Sequence, residues 1–324
     1  MTLSGCGASK ESITPTVASA ELSAQEIDAN PLALLPGGVV GFARFEAQAT
    51  FSAAFGPNLA NLARQLAPLP TSAGFVIERD LERVFIGFYS MSGADLAGVA
   101  IGRFDEPRIR AAAQTTNAPG QAPAVGTLVQ SIYAGKTVYT VNNLGFCLLT
   151  ARTALFGNET GIRRALDRIR EGRTGNRLPA WTQDLLDEKQ APLGFGLDLR
   201  ATALSDSVSK QVPFVEGLSA ARVRGNYAAP GLNLVGSLGY PTPEAAATGA
   251  QRVTQTRDLL SQAGLLMSLF GVAQPIERLE AKANGTDVDV VATLNGTTLG
   301  RLITQLSPTI LAAAKSGLLQ PSAR

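Results

Sequence analysis

The sequence predicts an α+β protein, with antiparallel sheets whose helices pack on one face and an element order that reads as two similar halves. Three observations lead there. Short apolar runs face each other across turn-forming residues. Stretches with apolar residues at helical spacing lie between those pairs. The same order of elements then recurs later in the chain. Strands joined by short turns favour antiparallel sheets with segregated helices, and a sheet face that is not wet needs cover. The 324 residues, 45% hydrophobic and 17% charged, hold enough apolar material for a large core, in two domains or one large one.

In the first half, residues 31–172, Val39 to Phe45 (VVGFARF) predicts a strand. Phe51, Phe55, Leu59, Leu62, Ala63 and Leu66 then share one helical face. Strands follow at Val84–Tyr89 and Leu96–Phe104, joined by a Ser- and Gly-containing hairpin loop at residues 90–94. A short helix is predicted from Glu106, with Pro107 in its first turn, where a missing N–H costs nothing. Thr115 to Thr127 (TTNAPGQAPAVGT) reads as a long Pro- and Gly-rich loop. Loops of this length are often functional, so Asn117, Pro119, Gly120 and Pro123 are candidate contact residues. Strands resume at Val129–Tyr133, Lys136–Val141 and Gly145–Thr150. A helix from Glu159 to about Glu171 closes the half, with Ile162, Ala165, Leu166 and Ile169 as its apolar stripe.

A polar connection over residues 173–192, with a short helix around Trp181 to Lys189, leads to the second half, residues 193–324. There Gly194 to Leu199 predicts a strand, and Leu204 and Val208 suggest a helix. A strand pair, Leu218–Tyr227 and Leu232–Tyr240, turns at Ala229-Pro230-Gly231. A long helix over about Pro243 to Phe270 follows. Ile276–Ala283 and Asp287–Leu294 then flank Asn284-Gly285, which predicts a type I′ hairpin turn. The last helix carries Leu299, Leu302, Ile303, Leu306 and Ile310 on one face. The likeness of the halves lies in element order and not in residue identity.

Composition excludes several function classes. Net charge is only +2, against the basic excess of nucleic-acid-coating proteins, so no nucleic acid is expected as partner. Histidine is absent. That removes the commonest general base and metal ligand, and neither a metal nor another cofactor is expected. The two cysteines, Cys6 and Cys147, differ in context and do not suggest a disulfide framework. No apolar run is long enough to span a bilayer.

Residues 1–30 read apart from the body. Leu3-Ser4-Gly5-Cys6 places small residues before a cysteine, and Gly7 to Gln25 is rich in Ser, Thr and Ala, as a flexible tether is. The tetrapeptide resembles a bacterial lipobox. The resemblance covers these four residues and implies that Cys6 becomes the mature N-terminus and carries lipid on its sulfur. Acyl chains would then hold the protein to a membrane by burying CH₂ groups. Such a signal has a basic and then an apolar stretch before the box. Only Met1 and Thr2 stand there in this sequence, so a truncated signal is expected.

Other constellations read blandly. Ser207-Val208-Ser209-Lys210 spells the S-x-x-K of serine acyl-transfer enzymes, but the companion motifs are missing. Asp287 and Asp289 share one strand face and read as the wet side of a hairpin. The arginines between Arg163 and Arg177 read as a solvated helix face and Cys147 as a small buried hydrophobe. Asn158-Glu159-Thr160, Asn284-Gly285-Thr286 and Asn295-Gly296-Thr297 spell glycosylation acceptors but read better as turns and helix starts. The sequence thus points to an extracytoplasmic protein of the bacterial envelope, anchored through Cys6, with a non-catalytic binding or structural role and no assigned catalytic residue. A carrier of an apolar ligand, or an enzyme using carboxylate or Ser–Lys chemistry, are the alternatives.

Overall fold

The computed structural model describes residues 21–66, 71–90, 95–115, 128–141, 143–173, 175, 178–186, 191–202, 212–268 and 274–315. Its strands are β1 (Gly41–Glu46), β2 (Leu81–Phe88), β3 (Leu96–Gly102), β4 (Val129–Tyr133), β5 (Lys136–Val141), β6 (Leu144–Leu148) and β7 (Thr153–Asn158) in the first half. β8 (Leu193–Asp198), β9 (Ala220–Asn226), β10 (Gly231–Gly239), β11 (Ile276–Asn284) and β12 (Asp287–Asn295) follow in the second. The helices are α1 (Ala24–Ala29), α2 (Ala47–Ser52), α3 (Gly56–Leu66), α4 (Ile77–Asp80), α5 (Glu106–Thr115), α6 (Glu159–Arg170), α7 (Gln183–Leu186), α8 (Pro243–Ser268) and α9 (Gly296–Lys315). Helices and an antiparallel sheet together make the α+β class expected from the sequence.

All the strands form one sheet in the order β11-β12-β10-β9-β8-β1-β2-β3-β7-β6-β5-β4. The first strands of the two halves, β1 and β8, pair antiparallel at its centre, with Ala43 opposite Phe195. Outward from there the orders match. β1-β2-β3-β7-β6 runs one way and β8-β9-β10-β12-β11 the other, with β5-β4 added to the first half. A helix follows the third strand of each half, α5 and α8, and another follows β7 and β12, α6 and α9. The Asn-x-Thr triplets mark both of these last helices. Asn158 Oδ1 accepts from the Gly161 N–H, and Asn295 Oδ1 from the Thr298 N–H, each satisfying an orphan donor of the first turn.

Several local readings are corrected. Residues 24–29, expected within the tether, form α1. A Ser23–Glu26 capping box starts it, and Leu22 and Ile27 enter the core. The helix expected across Phe51 to Leu66 is two helices, because extended backbone at Ala53 ends α2. β7 is a strand that alternation does not reveal, since nearly all its residues are buried. Of the connection helix expected around Trp181 to Lys189, the described part begins as a 3₁₀ turn at Ala180–Thr182 and continues as α7, and residues 187–189 lie outside the described residues. The β11–β12 pairing places Asn284 opposite Asp287, so Gly285 and Thr286 are the central turn residues. Gly285 has φ +60° and Thr286 does not have positive φ. A type I′ turn needs positive φ at both central residues and a type II′ turn only at the first, so this turn is type II′ and not type I′.

In the first half both sheet faces are covered from β1 to β5, while the edge strand β4 stays largely exposed, Ile132 most of all. Ile162, Ala165, Leu166 and Ile169 of α6 pack with Phe42, Phe85, Val99, Leu155 and Cys147 on one face. Ala47 of α2, Ala60 of α3, and Ile109 and Ala112 of α5 pack with Val84, Ala100, Phe146 and Ala154 on the other. In the second half, helix α8 covers one face only, through Ala246 and Val253 against Ala221, Leu238 and Val288.

Candidate functional site

A row of directly opposed residues shows how one face divides. Val138, Cys147, Leu155, Val99 and Phe85 stand side by side on β5, β6, β7, β3 and β2. The row continues through Arg44 on β1 and Gly194 on β8 to Arg224 on β9 and Val235 on β10. Opposed residues lie on the same sheet face. At the first-half end this face is the floor under α6. At the second-half end Arg224 is exposed and Val235 is 51% exposed.

The difference lies in the final helix. α9 occupies the chain position of α6, yet it packs against α3, where Asn58 Nδ2 donates to Thr304 Oγ1 at 2.8 Å. Among the described residues, the second-half counterpart of the α6 floor therefore has no helix like α6 over it. Residues there alternate in the way a one-sided sheet does: Arg222, Arg224, Ser237 and Asp289 face the opening, while Ala221, Leu238 and Val288 face α8.

The result is a groove of about 580 Å³ lined by Asp184 and Leu185 of α7, Arg222 and Arg224 of β9, Val235, Gly236 and Ser237 of β10, and Asp289 of β12. Its wall begins at Gly196. A Cβ there would lie 2.8 Å from Trp181 Cζ3 and 2.9 Å from Leu185 Cδ1, so a glycine is what lets the 3₁₀ turn and α7 lie on the sheet. Arg222, directly opposite Gly196, places its guanidinium 5.0 Å from the centre of the Trp181 ring, within cation–π range. Among the described residues no carboxylate lies within ion-pair distance of Arg222. The Asp198 carboxyl is held below its usual range, chiefly by hydrogen bonds from Arg200, with the Arg222 charge acting the same way.

The α7 wall is anchored from beneath. Buried Arg44 donates from Nε to the Leu185 carbonyl and from Nη2 to the Ala191 carbonyl, each at 2.6 Å. Arg222 and Arg224 are two residues apart on one strand, so their side chains leave the same face about 7 Å apart. Asp289 stands opposite Ser237, which stands opposite Arg222. The groove is thus cationic along β9 and offers carboxylate acceptors on β12 and α7. A second cavity, of about 410 Å³, lies along α5 between Glu106 and Gln114. Neither has the lining of a cage for an apolar ligand. Among the described residues no cluster of His, Cys, Asp or Glu could hold a metal ion, and no helix is long and apolar enough to cross a membrane.

Of the residues singled out in the sequence, Cys6 and the loop residues Asn117, Pro119, Gly120 and Pro123 lie outside the described residues, as do Ser207 and Lys210. Cys147 is completely buried, and burial pushes its thiol up to about 12. Asp289 is exposed and enters the groove. The arginine run corrects one reading, because Arg168 is buried, not solvated. It donates to the carbonyls of Ala33, Arg173 and Gly175 and ties the end of α6 to the segments around it. The groove arginines were not found from the sequence. The signal was the alternation Arg222-Val223-Arg224, but which face it served depended on strand register.

No family model and no curated protein sequence matches the chain. Among solved structures it is similar to a protein designated TP0453. Crystal form I of that protein aligns with a TM-score of 0.51 at 11% identity, over 86% of this chain and 97% of that one. Crystal form III aligns with a TM-score of 0.52 at 11% identity, over 85% and 98%. At that identity the likeness is one of fold.

Proposed function

We propose that this chain is a lipid-anchored extracytoplasmic protein of the bacterial cell envelope, held to the membrane through Cys6, whose body binds a polar ligand without chemical turnover. The anchor reading is carried by Leu3-Ser4-Gly5-Cys6 and supported by the Ser-, Thr- and Ala-rich residues after it. The binding reading is supported by the groove beside β9. It is concave, built on paired strands, and lined by a few polar groups that converge on one space. The charged lining favours a polar ligand over the apolar cargo of a carrier.

Mass spectrometry of the N-terminus of protein taken from native membranes tests the anchor. The expected species begins at Cys6 with acyl chains on its sulfur. Full-length protein with an unmodified Met1, or with a free Cys6 thiol, would sink the proposal.

A further inference from the structure

We infer that the groove takes a phosphate monoester, seated with its phosphate on Arg222 and Arg224 and its remaining hydroxyl or ammonium donors toward Asp184 and Asp289; this rests on the groove being the binding site of the body. Two guanidiniums from one strand face carry two positive charges. A phosphate monoester near neutral pH carries between one and two negative charges and three acceptor oxygens. Planar guanidinium forks match phosphate oxygens in geometry as well as in charge. Arg222 is also held in place beforehand. Its guanidinium lies over the Trp181 ring, and that ring lies on Gly196, so less side-chain entropy is lost when an anion arrives.

The carboxylates set the rest of the ligand. Asp289 is two strands from Arg222 in the same row, which places its Cα about 10 Å away at the usual strand spacing. That distance separates the anion from the acceptors enough that one ligand can meet both. A purely anionic ligand would leave Asp184 and Asp289 facing like charge. A phosphorylated polyol or amino alcohol does not. The volume, about 580 Å³, lies in the range of small-molecule sites.

Trp181 is the only tryptophan in the chain, so its emission reports on the groove. The full chain is titrated with glycerol 3-phosphate, glucose 6-phosphate, glucose and succinate, and with vesicles containing phosphatidic acid. Calorimetry serves as a second readout. The expected result is saturable binding of a phosphate monoester at least tenfold tighter than glucose or succinate. Arg222→Gln and Arg224→Gln should each weaken it by roughly tenfold or more. Arg222→Lys, which keeps the charge but not the fork, should fall between. Asp289→Asn should alter the ranking among phosphate esters while leaving phosphate dependence intact. Soluble esters binding would mark a free phosphate ligand, and vesicles alone binding would mark a lipid headgroup; both support the inference. Glucose binding as well as glucose 6-phosphate would keep the groove as a binding site and overturn the phosphate assignment, as would equal binding of succinate. Absence of saturable binding by both readouts, both to the vesicles and to the soluble esters up to about 10 mM, would overturn the inference, and so would binding indifferent to both arginines.

Discussion

Arg44 on β1 donates from Nε to the carbonyl oxygen of Leu185 at 2.6 Å, bridging 141 residues of sequence. The same guanidinium reaches the Ala191 carbonyl and pairs at 3.5 Å with Glu46. One buried side chain therefore fixes the connection between the halves, and with it the α7 wall of the groove. Arg44→Met would remove these donors and leave the carbonyls buried beneath the connection. A loss of about 2–4 kcal/mol is expected in urea denaturation. Trp181 emission should shift to the red as the wall loosens. Arg44→Lys reaches fewer carbonyls and should cost less.

Gly196 and Gly194 provide a matched comparison on β8. A methyl group at Gly196 would meet the Trp181 ring at 2.8 Å, whereas at Gly194 the nearest atoms, Arg44 Cγ and the Leu185 carbonyl oxygen, are 3.3 Å away. Gly196→Ala should cost about 1–3 kcal/mol through forced displacement and alter Trp181 emission. Gly194→Ala should cost less and leave the emission nearly unchanged. Equal effects in thermal unfolding would show that the ring does not rest on Gly196.

Period-two patterns made the paired strands legible, and the α6 stripe was legible because one of its faces is dry. β7 was not, since a strand covered on both faces has no polar side to alternate with, and its run leads directly into Asn158 and α6. The break at Ala53 escaped because the apolar spacing continues on both sides of it. Arg44 and Arg168 escaped for another reason: arginine reads as surface, and only the fold supplies the carbonyls that hold it inside. The groove was the least legible of all. Its residues come from α7, β9, β10 and β12 and meet only through register, and among the described residues the final helix α9 docks against α3 instead of over it, a choice the apolar stripe of α9 does not encode.

The two helix-capping asparagines should differ in weight. Asn158 is 1% exposed, and its Oδ1 accepts from the N–H of Leu96 at 3.0 Å as well as from Gly161. Asn158→Ala leaves two donors in the core without that acceptor and should cost about 2–3 kcal/mol. Asn295 is half-buried and caps only Thr298, so Asn295→Ala should cost about 1 kcal/mol. Thermal midpoints of the two variants compare them directly.

Asp80 governs part of the acid side. Its carboxylate accepts from the Arg79 guanidinium at 2.7 Å and from the Val76 N–H at 2.8 Å. The Arg79 hydrogen bonds hold its pKa below the ordinary 3.8, with the Val76 N–H and the charges of Arg79 and Arg103 adding to them against burial. A depressed folded-state pKa contributes stability above 3.8 that is lost as pH falls through the folded value. Asp80→Asn should therefore be less stable than the parent at neutral pH, by about 1–3 kcal/mol. The gap should narrow on acidification below pH 3.8. A gap that stays constant across that range would remove Asp80 from the acid response.

Cys147 acts on the alkaline side with the opposite sign. Burial raises its thiol from 9.0 to about 12 in the folded protein, because ionisation would place a thiolate among Val138, Leu155 and Leu166 in the core. The unfolded chain ionises first, so the thiol favours folding fully below pH 9.0 and progressively less from there to about 12. Over that window stability should fall by up to about 1.4 kcal/mol per pH unit from this group. Cys147→Ala should flatten the slope, at the cost of a small cavity. Iodoacetamide at pH 8.5 should modify Cys147 only as fast as the protein opens, so the labelling rate should rise with urea in step with unfolding. Rapid labelling of Cys147 in folded protein would contradict its place in the core.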